Sequence, residues 1–106
     1  MFSLFQKSNI EAVHINELDG MLNDINLIDI REPYECAHAS IKNSKNIPMS
    51  QLLAAPEQYL KKDKKYYIMC QSGGRSSNAV TVLNRAGFDV VNVKGGMSSY
   101  TGKFRK

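Results

Sequence analysis

Tyr66-Tyr67-Ile68-Met69-Cys70-Gln71-Ser72-Gly73-Gly74-Arg75-Ser76 decides the architecture, because this one run passes from strand through loop to helix. Tyr66 to Met69 is apolar and β-prone in all but its last residue, which reads as a buried strand ending at Cys70. Gln71 to Gly74 reads as a loop. Beyond it Ala79, Val82, Leu83 and Ala86 keep helical spacing, and Gly87 is the expected helix stop.

A thiol is thus placed at the carboxyl end of a strand and just before a helix, the edge at which open α/β sheets hold their ligands. Gly73 and Gly74 let the backbone curl so that successive N–H groups form an anion-binding nest around Cys70. The helix dipole and the Arg75 guanidinium add positive potential from the same side. All three favour the thiolate, the nucleophilic form of cysteine. The blander reading makes Cys70 a small buried hydrophobe. The coincidence of strand end, glycines, arginine and helix start favours chemistry.

Working outward, Leu27-Ile28-Asp29-Ile30 is a central strand, apolar on both faces except at Asp29. Pro33 suits the first turn of a short helix running to about Ala39. Asn46-Ile47-Pro48 is a brief extended piece, and Ser50 is the expected cap of a turn through Leu52 and Leu53. Val90 to Val93 is the last strand, followed by Gly95-Gly96 and a short helix around Met97 to Tyr100. On the amino-terminal side, Ala12 to Ile15 reads as a strand and Asn16 as the cap of a helix with an apolar stripe of Leu18, Met21 and Leu22. Strands alternating with amphipathic segments predict an α/β domain with a largely parallel sheet.

The chain of 106 residues fits one domain, with a core over about 10–101 and a basic tail over 102–106 that is expected to fray. With 42% hydrophobic and 23% charged residues it falls outside the disordered and collagen-like classes. Two cysteines, Cys36 and Cys70, are too few for a disulfide scaffold, so free thiols in a reducing compartment are expected. No apolar run approaches the length of a membrane span, and Met1 to Phe5 is too short for the apolar part of a signal peptide. The expected location is the cytoplasm. The net charge of +4 favours anionic partners. Lys61-Lys62-Asp63-Lys64-Lys65 and the tail lack interleaved aromatics, so neither nucleic acid nor membrane is expected as a partner. His14 and His38 have no neighbours at metal-ligand spacing, and no metal is expected.

Four segments in order resemble the rhodanese-like sulfurtransferases: Leu27 to Pro33, Asn46-Ile47-Pro48, Cys70 to Ser76, and Val93-Lys94-Gly95-Gly96-Met97. The resemblance covers Val13 to Tyr100. It implies a three-layer rhodanese-like domain, with a central mostly parallel sheet of about five strands flanked by helices. It also implies a single-domain sulfurtransferase without cofactor. Cys70 would be the catalytic residue, taking a sulfane sulfur from a small anionic donor such as thiosulfate or a persulfide. A thiol, cyanide or a protein would be the acceptor. Gln71, Ser72, Gly73, Gly74, Arg75 and Ser76 would bind the substrate, and Asp29 and Arg31 would support the site as an ion pair shaping the turn. Arg75 has two roles open to it, anchoring the donor or clamping the loop through a carboxylate.

The chain departs from the family pattern at Ser40, where a histidine is usual, and at Tyr100, where tryptophan is common. Cys36 stands where an aromatic residue is usual, and packing is the expected role ahead of that of a resolving thiol. One rival is a carrier or interaction module that delivers persulfide sulfur to a protein. Another is a cysteine phosphatase or arsenate reductase. Those enzymes resemble Cys-x5-Arg, whereas Cys70 to Arg75 encloses four residues, a tighter ring suited to one sulfur atom.

Overall fold

The apolar runs pair into one sheet in the computed structural model, which describes residues 10–106. Its strands are β1 (Ala12–His14), β2 (Asn26–Asp29), β3 (Lys45–Asn46), β4 (Lys65–Met69) and β5 (Asp89–Lys94). All pairs are parallel, in the order β1-β5-β4-β2-β3, so the all-apolar stretch of β4 lies at the centre. Registers such as Ile28 opposite Ile68 and Tyr67 opposite Val91 align the strands' carboxyl ends. Three helices connect them: α1 (Pro33–His38), α2 (Met49–Ala54) and α3 (Gly74–Arg85).

Alternation along the strands divides the core in two. Ile28, Ile68, Cys70 and Val90 face one way and pack with Leu52, Ala79, Val80 and Leu83 of α2 and α3. Leu27, Met69 and Val93 face the other, against Ile15, Leu18, Leu22, Met97 and Tyr100. Among the described residues, that second outer layer is made of 3-10 turns at Ile15–Glu17 and Met97–Ser99, together with irregular chain.

Several local expectations shift. Asn16 does not cap a helix; the His14 ring accepts from the Asn16 amide at 3.1 Å and caps the 3-10 turn. The Asn16 side chain instead holds distant backbone at Ser99 and Thr101. Pro48, not Ser50, occupies the cap position of α2, because its extended backbone leads straight into the first turn. The buried stripe of α3 is Ser76, Ala79, Val80 and Leu83, and Val82 is 49% exposed.

The tail, expected to fray, is hydrogen-bonded to the rest of the chain in this structure. Ser40 and Lys106 exchange N–H···O bonds of 2.9 and 2.8 Å, Lys42 N–H donates to Phe104 at 2.7 Å, and Phe104 packs on the second core. Of the basic run, Lys62 lies over the Phe88 ring and Lys65 pairs with Glu11. No described helix is long and apolar enough to cross a membrane. Met1 to Phe5 lies outside the described residues.

Candidate active site

The chain leaves β2 outward to β3, returns to β4, and leaves β4 in the opposite direction to β5. The crevice between the carboxyl ends of β2 and β4 is therefore the sheet's topological switch point, the place where such folds hold ligands. Asp29 and Cys70 stand on either side of it.

On the β4 side, Cys70 is buried, and its sulfur accepts hydrogen bonds from the Gly73 amide at 3.1 Å and the Ser76 amide at 3.3 Å. The Ser76 hydroxyl lies 3.4 Å away. Burial alone would raise the thiol pKa, but the Ser76 hydroxyl and the amides of Ser76, Gly73 and Ser72 outweigh it, and the net shift is downward. Gly73, at φ 102°, makes the turn that aims its amide inward. Gly74 needs no such freedom: it begins α3 without positive φ, and an added Cβ would meet nothing within 4 Å.

The second glycine pair forms the floor of this loop. Met97 and Ser98 amides donate to the carbonyls of Cys70 and Gln71, both at 2.9 Å. A Cβ on Gly96 would collide with those same carbonyls, which explains the glycine there.

On the β2 side, Arg31 is buried and uses its whole guanidinium. It donates to Asp29 at 2.7 to 3.0 Å, to Ala39 carbonyl at 2.7 Å and to Gln71 Oε1 at 3.0 Å. Burial by itself would lower its pKa, but the hydrogen bonds and charge of Asp29 win, so it stays a cation. Asn46 donates to the carbonyls of Asp29 and Arg31, both at 2.9 Å, which fixes the turn and gives the Asn-Ile-Pro step its purpose.

Both terminal nitrogens of Arg75 bind Glu35 of α1, each at 2.9 Å. Hydrogen bonding to Arg75 brings the Glu35 carboxyl down to about 2. This fork joins the start of α3 to α1 across the crevice. The sequence showed Arg75 but not Glu35, because the partner lies 40 residues earlier, and only the need of a half-buried guanidinium for a carboxylate could have signalled it. Cys36 is half-buried in α1, and burial pushes its thiol up to about 11, so it remains protonated. Gln71 also borders a hollow of about 330 Å³ lined by Arg31, Tyr34, Glu35 and His38.

A polarised thiol in an amide nest at the switch point of a parallel sheet is a candidate site for cysteine-based chemistry. The Rhodanese-like domain family model matches residues 14–103, and the chain belongs to that family. YtwF of Bacillus subtilis is 40% identical over 80 residues, covering 76% of this chain and 77% of that one. A sulfurtransferase of Allochromatium vinosum is 35% identical over 94 residues, covering 88% and 87%. The crystal structure of a rhodanese-like domain protein from Staphylococcus aureus superposes with a TM-score of 0.81 at 31% identity, covering 92% of this chain and 97% of that one. Membership places the chain among proteins of sulfur transfer.

Proposed function

We propose that the protein is a sulfurtransferase in which Cys70 carries the sulfur. Support comes from the convergence of the Gly73 and Ser76 amides on Cys70 Sγ. The thiolate attacks the outer sulfur of thiosulfate or a persulfide; the donor's S–S bond breaks, and sulfite or a thiolate departs with the electron pair. Cys70 is then a persulfide, held by the same amides in a preorganised field. Cyanide or a thiolate attacks its outer sulfur, forming thiocyanate or a new persulfide and restoring the Cys70 thiolate. Two displacements on one nucleophile predict ping-pong kinetics.

In this reading Gln71 to Ser76 form the sulfur site, and Arg75 clamps the loop, since Glu35 already holds its fork. Asp29 and Arg31 support the turn. The four residues between Cys70 and Arg75 make a tighter loop than the five of Cys-x5-Arg enzymes, which favours a single sulfur atom over a tetrahedral oxyanion. The expected site of action is the cytoplasm, consistent with two free cysteines.

Intact mass after exposure to thiosulfate should show a gain of one sulfur in the wild type and none in Cys70→Ser. Cyanide should discharge it as thiocyanate. Retained transfer in Cys70→Ser would sink the proposal, and so would hydrolysis of an aryl phosphate without thiocyanate formation. Discharge only to a protein thiol would make the chain a sulfur carrier instead.

A further inference from the structure

Asn92 places a buried amide where the pattern of β5 calls for an apolar side chain. Val90 and Asn92 share the sheet face that α3 covers, while Val91 and Val93 point the other way. Its Oδ1 lies 2.6 Å from Ser76 Oγ, and Ser76, wholly buried, lies 3.4 Å from Cys70 Sγ. A buried amide is costly unless it is hydrogen-bonded. This one is spent on the serine that touches the nucleophile.

Ser76 has one hydroxyl proton and three neighbours able to take it: Asn92 Oδ1, the Gly73 carbonyl at 3.2 Å and, once ionised, the sulfur. We propose that Asn92 is a positioning residue for Cys70, its amide turning over to reverse the Ser76 hydrogen bond when the thiol ionises. The inference rests on the reading of Cys70 as nucleophile. With the thiol protonated, S–H donates to Ser76 Oγ and the Ser76 hydroxyl donates to Asn92 Oδ1. When the thiol releases its proton to water, sulfur can only accept, and the hydroxyl swings to it. A half-turn of the amide then brings Nδ2–H to Ser76 Oγ. This second chain ends on a charge, and charge-assisted hydrogen bonds are roughly twice as strong as neutral ones, so the pair favours the thiolate.

The charged groups around Cys70 are Arg75 of α3 with Glu35 of α1, and Arg31 with Asp29 at the end of β2. Among the described residues, Cys36, Tyr34 and His38 of α1, His14 beside Gly95 and the exposed Lys94 are further titratable groups nearby. Asn92 is neutral, so Asn92→Val changes hydrogen bonding without changing the charge near sulfur.

The experiment is the pH profile of Cys70 alkylation by iodoacetamide in a Cys36→Ser background, which requires no sulfur transfer. Asn92→Val should move the profile upward by roughly half to one pH unit, a three- to tenfold slower reaction below the midpoint. Ser76→Ala should do at least as much, and adding Asn92→Val to it should change nothing more. Asn92→Thr, with one hydroxyl on a β-branched stem, is the second variant and should lie between wild type and valine. Coincident profiles for wild type and Asn92→Val overturn the proposal, as do shifts that simply add in the double variant. Failure of sulfur transfer with these relations intact counts against the reaction proposed above and leaves the role of Asn92 standing.

Discussion

At Cys70, burial and hydrogen bonding compete, and the direction of the pKa shift shows that hydrogen bonding wins. The two loop glycines differ in what they contribute to that outcome. Gly73→Ala forces a side chain into left-handed backbone at a cost of roughly 1–2 kcal/mol, and it disturbs an amide that touches sulfur. Gly74→Ala has open space and no positive φ, so it should be neutral or stabilising by roughly 0.4–1 kcal/mol. Urea unfolding with alkylation rates checks both: a slow, destabilised Gly73→Ala beside an active Gly74→Ala is expected, and equal behaviour would contradict the assignment. The Glu35–Arg75 fork gives a pH-dependent test. Glu35 falls from an ordinary 4.5 to about 2, so its contribution is complete above about pH 4.5 and fades as the pH drops toward about 2. Arg75 is partly exposed, so the pair is worth about 1 kcal/mol. Glu35→Gln should cost that much at neutral pH and nothing at the acid end; a pH-independent difference would argue against the pair.

At the level of elements, α3 shows how closely local sequence can specify a boundary. Gly87 N–H donates to Asn84 carbonyl and Phe88 N–H to Leu83 carbonyl, both at 3.0 Å, a Schellman closure with Phe88 packed in the same core as Leu83. Gly87, at φ 97°, permits it. Gly87→Ala should therefore cost about 1 kcal/mol and lower Tm by roughly 4–8 °C, whereas an unchanged Tm would deny the closure its role. The helix stop, β2, β4 and β5 were legible because their signals are local: an apolar run, a period, a glycine. The two-residue β3 was legible only as a brief extended piece; its place in the sheet comes from pairing with β2, which the Asn46 side chain reinforces. The helix cap expected at Asn16 did not form: the His14 ring takes the Asn16 amide, and Asn16 Oδ1, the atom that would cap, accepts instead from the distant Thr101 amide. Of the site, Cys70 and its loop were legible as one contiguous run. Glu35 and Asn92 were not, since their roles arise only when α1 and β5 are brought against α3.

Across the whole molecule, the carboxyl-terminal tail braces the segment that leaves α1. The antiparallel bridge between Ile41 and Arg105 ties the tail to the segment leaving α1. That segment includes Ala39, whose carbonyl holds Arg31, and α1 carries Glu35, which holds Arg75. The basic tail is thus hydrogen-bonded to the segment next to Ala39, one step removed from the side chains that line the crevice. Removing residues 103–106 should cost roughly 1–3 kcal/mol, about the worth of the buried part of Phe104 with its backbone hydrogen bonds. Hydrogen exchange should accelerate first at the Ser40 and Lys42 amides, whose acceptors are lost, while the Ser76 amide against sulfur stays protected. Transfer activity should then fall at temperatures where the wild type is still folded, through loosening of α1 and without a change in the Cys70 alkylation profile at low temperature. Unaltered exchange at Ser40 and Lys42 would show that the tail carries no such load.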